Sequence, residues 1–97
     1  MFYLLAFVLN VGNLNPVVVK NCVSVTKVDA RAAAKSAADD LGKLGLVCDQ
    51  IPESLVSDCG NQKVGLVGKV LVMKSIDECK ALPDLISKNL KNLVNRN

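Results

Sequence analysis

The residues of this chain best equipped for chemistry are its four cysteines, Cys22, Cys48, Cys59 and Cys79. A thiol can attack a substrate, ligate a metal or close a disulfide, and its surroundings decide which. Attack needs a thiolate and a base to generate it, yet the sequence holds no histidine. Structural zinc favours closely paired cysteines, whereas the gaps here are 26, 11 and 20 positions with no CxxC pair, so no metal site is expected. The third use remains. An even number of cysteines in a chain of 97 residues reads as a disulfide framework closed in an oxidising compartment.

Other chemistry finds little footing. Without histidine a general base has to be a carboxylate, a lysine or a thiol. The acidic pairs Asp39-Asp40 and Asp77-Glu78 are sequence neighbours, and adjacent helical side chains point about 100° apart, so neither pair converges on one substrate. The segment GLVGK at 65–69 lacks the full phosphate-loop pattern, because Val70 stands where Ser or Thr is required. Nucleic-acid binding calls for clustered Arg and stacking aromatics. This chain has Arg31 and Arg96 alone, and its aromatics are Phe2, Tyr3 and Phe7. The net charge of +3 is ordinary solubility charge. The chain is therefore expected not to be an enzyme, to need no cofactor and to bind no nucleic acid.

Residue patterning suggests the elements that carry the cysteines. The opening MFYLLAFVLNVG has no charged side chain and is too short for a helix that spans a bilayer. It fits the apolar region of a signal peptide, although no Lys or Arg precedes it and Asn10 and Gly12 make a poor cleavage site. Residues 1–15 are expected to be this leader, 16–97 a single domain, and the product secreted and extracellular. Val17 to Val25 read as an extended lead-in.

The domain is expected to be all-α, a small disulfide-stapled bundle of about four helices at roughly 27–44, 52–59, 63–82 and 83–95. In the first, Thr26 and Asp29 have capping-box spacing, and Ala30, Ala33, Ala34, Ala37, Leu41 and Leu44 share a face ended by Gly45. The second opens with Pro52 and Glu53 and stops at Gly60. The third carries Val64, Gly68, Leu71, Val72, Ile76, Cys79 and Leu82 on one arc, with Lys69, Asp77 and Lys80 opposite. Its valines and its glycines at 65 and 68 also suit a hairpin strand, and Ser75 with Glu78 could mark a break. The fourth opens at Pro83 and buries Ile86, Leu90, Leu93 and Val94, with Lys88 and Lys91 outward.

An up-and-down bundle brings Cys22 near Cys59 and Cys48 near Cys79, and that pairing is expected; the alternative is Cys48–Cys59 with Cys22–Cys79. Inward small and aliphatic residues then suggest a binding or carrier protein for a small hydrophobic, acyl-chain-like ligand. Ala37, Leu41, Leu71, Val72, Leu90 and Leu93 are the candidate contacts. The alternative is a secreted host-directed or membrane-active effector acting through the basic last helix, a weaker reading since that helix carries no Trp or Phe. The alanine seam would serve self-association equally well, so the oligomeric state stays open.

Overall fold

The computed structural model describes residues 1–12, 15–49 and 55–94, and it is not a helical bundle. A five-stranded antiparallel sheet forms its middle layer, with strand order β2-β1-β5-β4-β3. The strands are β1 (Phe2–Asn10), β2 (Pro16–Val25), β3 (Val47–Cys48), β4 (Val56–Asn61) and β5 (Leu66–Met73). Helix α1 (Ala30–Lys43) follows β2, and helix α2 (Ile76–Val94) follows β5.

The apolar opening is the key to this architecture. The stretch expected to be a leader contains β1, which hydrogen-bonds to β2 on one side and to β5 on the other. Leu4, Ala6 and Val8 pack with Ala34, Ala37 and Leu41 of α1. The alternate residues Leu5, Phe7 and Leu9 pack with Cys79, Leu82, Ile86 and Leu90 of α2. Helices thus cover opposite faces, and a strand buried on both must be apolar at every position. Such a strand and the apolar region of a leader share one composition.

The helices expected beyond residue 45 are corrected by the structure. In the span 63–82, residues 66–73 form β5, which hairpins onto β4 through a turn where Gly65 adopts φ +66°. β-Branched side chains and a left-handed glycine favour this hairpin over a helix. Of the expected helix at 52–59, residues 52–54 lie outside the described residues and Val56 to Cys59 belong to β4. The last two helices are replaced by α2 alone, which runs through a buried Pro83. Its start is the Ser75–Glu78 spacing, where the Ser75 hydroxyl accepts from the Glu78 amide at 3.3 Å. Helix α1 lies inside the expected 27–44, buries Ala30, Ala34, Ala37 and Leu41, and is closed by Gly45 at φ +94°.

The disulfides are Cys22–Cys79 and Cys48–Cys59, in place of the crossed pairing that a bundle implies. Cys48 and Cys59 stand directly opposite each other in the β3–β4 ladder. Cys22–Cys79 ties the edge strand β2 to the first turns of α2, with Cα atoms 5.9 Å apart. A sheet brings neighbouring strands together locally, so the short-range pair no longer requires a chain reversal along a helix.

Strand β2 meets β1 through two bulges. Val23 faces Leu4 and Lys20 faces Ala6, so Asn21 and Cys22 share the place opposite Leu5. Lys20 faces Ala6 and Val18 faces Phe7, which leaves Val19 as a second extra residue. Cys22 sits in the first bulge with left-handed backbone, φ 52°. This bulge turns Lys20 to the α1 face, 3.4 Å from Asp40, and the second returns Val18 to the α2 face.

Candidate functional site

Among the described residues, helix α2 packs on β2, β1 and β5, and none of its Cα atoms comes within 8 Å of β4 or β3. One half of that sheet face is therefore covered by α2 and the other half is not. At the boundary lies a groove of about 150 Å³. Phe7 and Leu9 of β1 and Ile86 and Leu90 of α2 supply its apolar walls, and Val67 of β5 stands at its open side, 40% exposed. Period-two alternation explains the wall: Val67, Lys69 and Leu71 face the α2 side, opposite Leu9, Phe7 and Leu5.

Two charged groups complete the groove. Lys69 of β5 and Asp58 of β4 are cross-strand neighbours, and Lys69 Nζ lies 3.6 Å from Asp58 Oδ1. The lysine side chain is 37% exposed and the carboxylate 71% exposed. An ion pair this wet is worth about 0–1 kcal/mol, so the ammonium can exchange its partner for a ligand anion at little cost. The arrangement combines an apolar floor with a loosely held Lys69–Asp58 ion pair at its side.

A larger cavity, about 560 Å³, lies between the outer face of α1 and the β3 end of the sheet. Arg31, Lys35, Asp39 and Lys43 line it as a row at four-residue spacing, with Leu46 and Asp49 across from them. Leu46 is its one large apolar side chain, so it offers no apolar floor comparable to that of the groove. Among the described residues no cluster of three His, Cys, Asp or Glu side chains could hold a metal ion.

The expected contact residues do not meet. Ala37, Leu41 and Val72 belong to the core on the α1 side, where Ala37 and Leu41 are fully buried. Leu71 and Leu90 belong to the core on the α2 side. The sheet separates the two groups, and the Leu93 side chain lies outside the described residues. Leu90 does line the groove. Helical periodicity passes over Phe7 and Lys69, although the alternation Val67, Lys69, Leu71, Met73 is legible as one face of a strand.

No protein-family model, curated protein or solved structure matches this chain.

Proposed function

We propose that this chain is a non-enzymatic binding protein for a small amphipathic ligand, an aliphatic body with an anionic end, held in the groove between α2 and β5. The observation that carries this reading is Lys69, held only by the well-exposed Asp58, standing beside an apolar floor of Phe7, Leu9, Ile86 and Leu90. Taking about 30 Å³ per water-sized group, the groove accommodates roughly five methylene-sized groups. Two disulfides support work in an oxidising compartment, in keeping with a secreted protein.

The effector alternative has less support. A membrane-seeking helix needs a free apolar face, and α2 commits Cys79, Leu82, Ile86 and Leu90 to the sheet. Lys80, Lys88 and Lys91 remain on its exposed side as solvated charge.

Calorimetric titration with n-alkyl carboxylates of increasing length tests the proposal. Affinity should rise by up to about 0.8 kcal/mol per methylene, then level off near five. Lys69→Met should weaken carboxylates while leaving the matching alcohols unchanged. Chain-length independence, or equal binding of alkylammonium ions, would refute it.

A further inference from the structure

Strand β2 is an edge of the sheet, ten residues long, with Val17 65%, Val18 40% and Val23 46% exposed. A long apolar edge invites another strand, and bulges are one device that keeps such an edge from pairing. The opposite edge, β3, is only two residues long and offers no comparable template. The first β2 bulge places a cysteine in left-handed backbone, a conformation that side chains other than glycine seldom adopt. Something must hold it there, and the bond to Cys79 does so from the neighbouring helix.

The straightened strand is self-complementary. Its midpoint falls between Lys20 and Asn21. In a two-fold antiparallel pairing, Val18 of one copy faces Val23 of the other and Lys20 faces Asn21. No like charges meet and the apolar residues coincide.

We propose that the Cys22–Cys79 bridge is a lock on this edge, and that opening it lets β2 pair with β2 of a second copy of the chain. A dithiol reductant supplies two electrons and two protons. The sulfur–sulfur bond breaks to give the Cys22 and Cys79 thiols, and the reductant leaves as its own disulfide. Cys22 then relaxes to extended backbone and Lys20 swings away from Asp40. The two bulges straighten together, and the outward backbone groups of β2 become a regular edge.

Two variants separate the backbone effect from mere loss of a covalent bond. Cys22→Ser with Cys79→Ser removes the bridge and leaves a residue that avoids left-handed backbone. Cys22→Gly with Cys79→Ser removes the same bridge, but glycine keeps the bulge without restraint. Light scattering on folded protein should show the serine pair doubling in mass with rising concentration while the glycine variant stays monomeric. Adding Val18→Lys to the serine pair should restore the monomer. Equal association of both variants, or of neither, overturns the proposal. If the serine pair does not fold, hydrogen exchange of reduced wild-type protein at two concentrations decides the matter. Protection over 16–25 that grows with concentration supports the lock, and unchanged protection overturns it.

Discussion

Gly68 and Leu46 meet on the α1 side of the sheet so closely that a methyl group at position 68 would lie 2.9 Å from Leu46 Cδ2. The same methyl would lie 3.1 Å from the carbonyl oxygen of Phe7, which belongs to backbone and cannot move aside. Leu46 can rotate, but the ladder between β1 and β5 is fixed on both strands. Gly68→Ala should therefore destabilise the fold by about 1–3 kcal/mol, as over-packing does. Urea denaturation would reveal it as a lower midpoint with unchanged slope.

Gly42 gives the opposite outcome. It lies within α1, and a methyl group there would meet nothing within 4 Å. Gly42→Ala should stabilise by roughly 0.5–1 kcal/mol through helix propensity and a less flexible unfolded chain. The same denaturation experiment should move the midpoint upward.

The two bridges should differ in value. Their sequence separations are 57 and 11. In the chain-entropy model, closing loops of these lengths contributes about 4 kcal/mol for Cys22–Cys79 and about 2.8 kcal/mol for Cys48–Cys59. Replacing each pair by alanine and recording thermal unfolding should therefore show the larger loss for the first, with part of it returned as Cys22 leaves its left-handed backbone.

Strand β1 should be indispensable to the fold. Leu5 is fully buried, and Leu5→Ala should cost about 2–5 kcal/mol. Removing residues 1–15 deletes the strand between β2 and β5, and should abolish cooperative unfolding by circular dichroism. A truncated chain that still melts cooperatively would contradict the central position of β1.

Legibility in the sequence follows amphipathicity. Helix α1 is half exposed, so its alanine seam is readable and its position falls within the expected span. Strand β1 and the centre of β5, Val70 and Leu71, are buried, and a segment apolar on all sides loses the period that marks its structure. Helical wheels can be drawn through such segments without penalty. A wheel puts Lys69 on an outer helix face for this reason, when it stands on a strand beside the groove. The crossed cysteine pairing fails one step later, since it follows from a bundle rather than from the cysteines. Pro83 reads as a helix start, yet its ring is accommodated inside α2.

A strand coated with oily groups on either side cannot tell its two surfaces apart by polarity; it must do so by girth. Ala6 fits beneath the closely approaching alanines of α1, while the neighbouring Phe7 ring reaches toward α2. Transposing those two letters would leave composition and mean hydropathy untouched, yet drive a benzene ring into a space shaped for a methyl. The orientation of the whole three-layer stack thus hangs on a difference in bulk between adjacent residues.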